Sequence, residues 1–543
     1  MTSLSRSWSM RRVGIFVVVG CLGAMPVLAR GSGQSTSTKQ FQKTMTLGTS
    51  QTVSVVNKYG DVHIHGEGGR EVKISATIRV QAHTQSDADR YADQVRIDVS
   101  QDSQGIKIQT VYPDESKFVV IRIGGPSYSV DYDIAVPTDA KLWMKNSFGN
   151  VEVQRVQGWA DLENGHGQLK FHDGGAAKLT NSFGEVQVNG ADGNVTVTNN
   201  NGAVSVSSVK GTLEVKDRFA SITVSNVGGT VTIEGGNGPV ELTDAGGSRI
   251  SNSFGAVSAR NVHGDLTVNN NNGTIDADTV SGNAQLNGSF GAISFANVSG
   301  NVRCTSSNGR VSGRKTGSDV YVKTTFGEVS LEQIGGGVEV EDSNGGINVR
   351  DIKGKASFNT SFGSIDASGL PKGVRATTGN GRISLNDVGG DAYAKTSFGS
   401  VDIRRVDGNL TIENSNGPVS ARGVKGDASA RTSFGSVTLE DIGGSMTVDN
   451  QNGTVTASAS RSSQGCKNIS LKTSFAPIQV RLPGDANYDV NARTSFGHIS
   501  SDLPITATGT LSNDSLNGRI GNGGCTLSLT NSNGNIEILK SSK

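Results

Sequence analysis

The chain has 543 residues, with 50 basic against 49 acidic side chains, 73 glycines, 10 prolines and 4 cysteines. Near-neutral charge without a sustained basic block argues against nucleic acid as a partner. Abundant glycine, little proline and regular apolar spacing exclude a disordered linker and suit turn-rich β structure.

The first segment reads as a signal peptide over residues 1–29. Arg6, Arg11 and Arg12 precede an apolar run from Val13 to Ala29, and Val27-Leu28-Ala29 offers small residues for cleavage. The expected location is therefore outside the cytoplasm: cell surface, extracellular or periplasmic. Val18-Val19-Gly20-Cys21 is similar to a lipoprotein signal, which would lipidate Cys21 and attach the chain to a membrane. The apolar run continues past Cys21 through Leu28, which weighs against lipidation. No later stretch is apolar enough to span a membrane.

Residues 36–137 are not repetitive. Period-two alternation at Thr52–Val56, Val62–His65, Val72–Val80 and Gly105–Val111 predicts strands. Ser86–Asp98 opens with Ser and Asp and is the helix candidate. The expectation is a β-rich cap with one short helix, covering the first edge of a stack whose open edge would otherwise invite aggregation. His63 and His65 share one strand face, a spacing that could bind a metal. With no third ligand in view they read as solvated strand residues, and no metal or cofactor is expected.

From 138 to 456 the coils are regular, and a phrase Ser/Thr-Phe-Gly recurs through most of the chain. Its phenylalanines are Phe148, Phe183, Phe254, Phe290, Phe326, Phe362, Phe398, Phe434 and Phe496, with degenerate copies at Phe219 and Phe475. From Phe254 to Phe434 each step is 36 residues. An Asn-Gly phrase sits midway, with glycines Gly202, Gly238, Gly273, Gly309, Gly345, Gly381, Gly417 and Gly453. The unit is thus a coil of about 18 residues in two alternating versions, the signature of a parallel β-solenoid. Within a coil, apolar residues fall at offsets 2, 4, 11, 13 and 16, and glycine at 9 and usually 18, as in Asp427–Gly444. Offsets 2 and 4 make one inward strand face and 11 and 13 a second. The glycines mark turns that need positive φ or close backbone approach.

Phenylalanine occupies offset 8, where the alternate coils carry asparagine. Pointing outward, it would form a ladder of aromatics roughly 10 Å apart, suited to stacking on glycans. Pointing inward, it should force smaller neighbours. Offset 2 of the Phe coils is mostly small (Ala177, Ser248, Ala284, Ala356, Ala392, Ala428), whereas in the Asn coils it is Val, Leu or Met. This compensation predicts phenylalanine folded inward, with asparagine at the same offset capping turns or forming an amide ladder. Cys304 falls at offset 4 and is expected to be a buried small hydrophobe.

After Gly453 the rhythm breaks, and residues 457–543 read as an irregular solenoid end acting as the second cap. Without Cys21 three cysteines remain. Cys466 and Cys525 could pair, but in sequential stacking they sit about three coils apart, roughly 14 Å, a gap a loop would have to close.

Catalytic signals are sparse. There is no nucleophile elbow, paired-cysteine motif or phosphate loop. The acids occupy scattered outward offsets rather than the converging pairs that polysaccharide-cleaving enzymes need.

Val53–Val62 (VSVVNKYGDV), Val130–Met144 (VDYDIAVPTDAKLWM), the SFG and SNG coils, the segment from Ile469 (ISLKTSFAPIQVRLP) and TNSNGNIEILK together resemble the putative-adhesin β-strand-repeat family of bacterial exported proteins, a domain family of unknown function. The resemblance implies a right-handed solenoid-like β fold outside the cytoplasm and an adhesive role; it brings no functional residues. The expected protein is an exported, non-enzymatic rod that binds a surface ligand, glycan or protein, or acts as a spacer. The alternatives are a periplasmic scaffold or envelope-stress sensor, and a polysaccharide-active enzyme.

Overall fold

The computed structural model describes residues 34–113, 125–461, 465, 467–508 and 512–541. The signal segment, Cys21 and Cys466 lie outside the described residues.

Each coil is built from two short strands. In the coil from Asp391 these are Ala392–Thr396 and Val401–Val406. Ala392, Ala394, Val401, Ile403 and Val406 are all buried, as the period-two pattern requires. The first strand lies in parallel register between Val374–Thr377 and Leu410–Asn414. The second lies between Ile383–Val388 and Val419–Val424. Every partner is 18 residues away, so the chain is an all-β parallel solenoid whose core grows coil by coil. Cys304 is fully buried, and burial pushes its thiol well above the ordinary range.

Two backbone features fix the coil. At offset 9 a Cβ on Gly399 would come 1.8 Å from the carbonyl oxygen of Gly381 in the coil before. Glycine is needed there because successive turns stack backbone on backbone. At offset 15 the backbone is left-handed even without glycine: Asp387, Arg405 and Asp441 have φ of 56°, 56° and 58°. Asn and Asp hold many of these positions, the short polar side chains that best tolerate this region.

The first coil comes from the segment read as cap. Thr52–Val56 stacks in parallel on Lys141–Phe148, and Val62–Glu67 on Val151–Gln154. The intervening chain covers this end. Ser35–Thr46, Glu71–Ala82 and Ser127–Pro137 form an antiparallel sheet. Arg96–Gln101 pairs antiparallel with Gly105–Val111. The helix spans Gln85–Gln94, capped by Thr84, whose hydroxyl accepts from the Asp87 N–H; Ala88 and Ala92 are buried. Residues 96–98, read as helical from sequence, belong to the following strand.

The other end is threaded out of sequence order. Cys525–Asn533 inserts between Ile469–Phe475 and Tyr488–Arg493, in parallel with both. Ser515–Ile520 then pairs antiparallel with Tyr488–Arg493, and Ile505–Ala507 pairs antiparallel on its far side. The sequential stacking assumed for this end therefore does not hold. The Thr526 N–H donates to the Asn468 side chain at 3.0 Å, and Cys525 is disulfide-bonded.

Candidate functional site

The corner between the two strands of each coil carries the most unusual chemistry. Offset 6 is polar and buried: Asn146, Asn164, Asn181, Asn199, Thr378, Thr396, Asn414 and Asn450 are each almost wholly enclosed. These side chains clamp the glycine turns. Asn414 Nδ2 donates to the carbonyls of Gly399 (3.1 Å) and Gly417 (2.9 Å). The Thr396 hydroxyl donates to Gly381 O at 3.0 Å and accepts from the Gly399 N–H at 3.2 Å. The inward polar ladder thus sits two residues before the position expected from sequence.

Offset 8 points outward, which corrects the expectation of buried phenylalanine. Exposure runs from 44% at Phe148 to 75% at Phe496, and Phe183, Phe219, Phe254, Phe290, Phe326, Phe362, Phe398, Phe434 and Phe475 fall between. The pleat carries offsets 2, 4 and 6 inward, but the turn at 7–9 breaks that parity and projects offset 8 from the corner. The small residue at offset 2 has another cause. In register it lies between large residues of the coils on either side, as in Val374↔Ala392↔Leu410 and Leu410↔Ala428↔Met446. Large and small alternate along the stack, so each large side chain has a small neighbour to pack over.

The outward positions align into one strip. Tyr59, Phe148, His166 and Phe183 occupy it in four successive coils. Their rings stack, with centroids 5.5 Å apart for Tyr59–Phe148 and 4.7 Å apart for Phe148–His166 and His166–Phe183. From Phe183 onward phenylalanine alternates with asparagine, of which Asn201, Asn237, Asn272, Asn308, Asn344 and Asn380 are exposed. The alternation survives the threading at the far end, where Asn533 bridges both Phe475 and Phe496. The 21-residue step between those two phenylalanines, a break in the sequence, is thus regular in space.

Some charged groups elsewhere pair along the stack. In the groove beside the left-handed corners Arg405 pairs with Asp387, and Lys425 Nζ lies 2.8 Å from Asp407. In a second groove Arg303 covers the Tyr321 ring at 4.3 Å. Burial acts on two acids of the corner. Asp217 and Asp342 replace the polar ladder residue at offset 6, and burial raises both, Asp217 to about 6. Their partners are backbone N–H groups of their own turns, so they serve the corner.

His63 and His65 do gain a third ligand-type neighbour, Asp133, on the strand beside them. Sequence reading missed it because only parallel pairing across 70 residues brings it there.

Residues 370–539 match the family model described as Toastrack DUF4097. Three solved structures are similar to the chain. A putative cell adhesion protein from Clostridium sporogenes is 13% identical with a TM-score of 0.21, covering 38% of this chain and 98% of its own. A putative adhesin from Bacteroides fragilis is 11% identical with a TM-score of 0.18, covering 56% and 97%. Another from Parabacteroides distasonis is 14% identical with a TM-score of 0.18, covering 55% and 97%. At such TM-scores these likenesses carry no argument about function. No curated protein matches the chain.

Proposed function

We propose that the protein is an exported, non-enzymatic rod that binds an extended glycan along its phenylalanine–asparagine strip, an adhesive role. The observation that carries this reading is the row of exposed phenylalanines on one corner. A protein surface rarely aligns so many exposed large aromatics without a partner for them. An aromatic face stacks on the apolar face of a sugar, and the amide between successive rings can exchange hydrogen bonds with hydroxyls. Successive phenylalanines, two coils apart, repeat at roughly 10 Å, so a linear polymer can meet many equivalent weak sites and gain by multivalency.

Export rests on the N-terminal segment, and adhesion on the resemblance of the repeats to the putative-adhesin β-strand-repeat family. The test is co-sedimentation with insoluble cellulose, chitin and peptidoglycan. Wild type should pellet with at least one of them, and a variant with Phe290, Phe326, Phe362 and Phe398 changed to Ser should lose most of that binding while melting normally. Equal binding by the two proteins would remove the strip from the function. Protease shaving of intact cells carrying a C-terminally tagged copy tests location: loss of the tag places the rod at the surface, and protection favours the periplasmic scaffold.

A further inference from the structure

His63 and His65 stand on the same face of Val62–Glu67, and parallel pairing sets Asp133 directly beside His63. Asp133 Oδ1 lies 3.0 Å from His63 Nδ1 and 3.4 Å from His65 Nδ1. Ligand atoms of all three side chains fall within 4.8 Å of one another. In a tetrahedral site with metal–ligand bonds near 2.0–2.1 Å, neighbouring ligand atoms are about 3.3 Å apart. Two of the three edges already have about that length. Among the described residues no other three His, Cys, Asp or Glu side chains come together in this way.

The surroundings favour an ion at this point. The His65 ring is half-buried, and its Nδ1 is enclosed with no hydrogen-bond partner. Its other nitrogen, Nε2, lies 3.2 Å from Glu67 Oε1. Glu67 in turn accepts from Lys73 Nζ at 2.9 Å. A cation between this enclosed ring nitrogen and the neighbouring carboxylate would satisfy both groups. Ligating histidines commonly have their second nitrogen fixed by an outer partner, as Glu67 is placed to do for His65. At His63 the Gln154 amide N–H meets Nε2 at 2.8 Å; metal binding at Nδ1 would move the ring proton to Nε2 and turn that amide so that its oxygen accepts. Asp133 is largely exposed, which gives the ion an entry path.

We propose that His63, His65 and Asp133 bind one divalent transition-metal ion of the zinc class, with a fourth position open to solvent. The ion joins the first coil to Ser127–Pro137, the strand shared with the antiparallel cap, and so ties the cap to the rod. Two imidazoles and a single carboxylate select zinc-like ions over calcium or magnesium, which prefer all-oxygen sites. The proposal is independent of the glycan reading.

The test is calorimetric titration of ZnCl2 into the EDTA-stripped full chain, made without a histidine tag, with melting followed in parallel. One ion per chain should bind with saturation, excess calcium should not displace it, and the cap transition should move to higher temperature. His65→Ala and Asp133→Asn should each weaken binding by tenfold or more and abolish the thermal shift. Glu67→Gln, which touches no ion, should weaken it by about tenfold. His263→Ala, far along the rod beside Asp244, should behave as wild type. Asp133 is exposed, so its variant reports on the site even if His65→Ala folds poorly. Absence of saturable zinc binding, or equal binding by wild type and Asp133→Asn, would overturn the proposal.

Discussion

Thr396 and Phe398 are two residues apart in one turn, yet the polar side chain is inside and the aromatic one outside. The pair inverts the usual hydrophobic sorting, and the reason is geometric. Thr396 is the last residue that the pleat points inward, and its hydroxyl satisfies two backbone groups that the tight corner would otherwise strand. Phe398 lies past the break in parity and has no core to enter. At the corner of a solenoid, position in the turn decides burial before side-chain polarity does.

The sharpest way to break this comparison is at the glycine between strand and turn. Gly399→Val places a Cβ against the Gly381 carbonyl, and either the two coils separate or the turn is rebuilt. We expect a loss of about 3 kcal/mol or more, read as a lower midpoint in denaturant, because a backbone atom has no rotamer with which to retreat. Thr396→Ala comes next. It leaves the Gly381 carbonyl and the Gly399 N–H without the hydroxyl that serves both, a cost of about 1–3 kcal/mol by the same measurement.

Asp217 gives a smaller, pH-dependent effect. Burial raises its folded-state pKa to about 6, above the ordinary 3.8. The stabilisation from its protonated form is therefore complete below about pH 4 and lost as pH rises through 6. Asp217→Asn restores the residue that Asn199 supplies in the coil before. It should melt above wild type at pH 8, by about 1 kcal/mol, and the gap should close as pH falls to 4. A gap that widens on acidification would contradict the burial argument. Phe398→Ser sits at the bottom of the scale: it should change stability by less than about 0.5 kcal/mol while weakening polymer binding.

Much of the rod was legible in the sequence. The 18-residue period, the two inward faces, the need for glycine at offset 9 and the burial of Cys304 follow from spacing alone. The outward turn was not, because Ala392 beside Phe398 mimics a cavity made for an aromatic ring. Register shows that the small residue answers Val374 and Leu410 in the neighbouring coils, and no single coil contains that information. The insertion of Cys525–Asn533 between earlier strands was hidden for a similar reason, since sequence order suggests sequential stacking. The group formed by His63, His65 and Asp133 was half visible: the two histidines announce themselves by their spacing, but Asp133 becomes a neighbour only through strand pairing.

Hydroxyl-radical footprinting of the full chain, free and bound to the polymer it co-sediments with, tests the outward strip most directly. In the free protein Phe326, Phe362 and Phe398 should be oxidised readily, while the buried Phe171, Phe295 and Phe358 stay unmodified; bound polymer should protect the first group. Slow oxidation of the strip phenylalanines in the free protein, at the level of Phe358, would contradict the corner geometry, and full oxidation in the bound state would remove the strip from the contact.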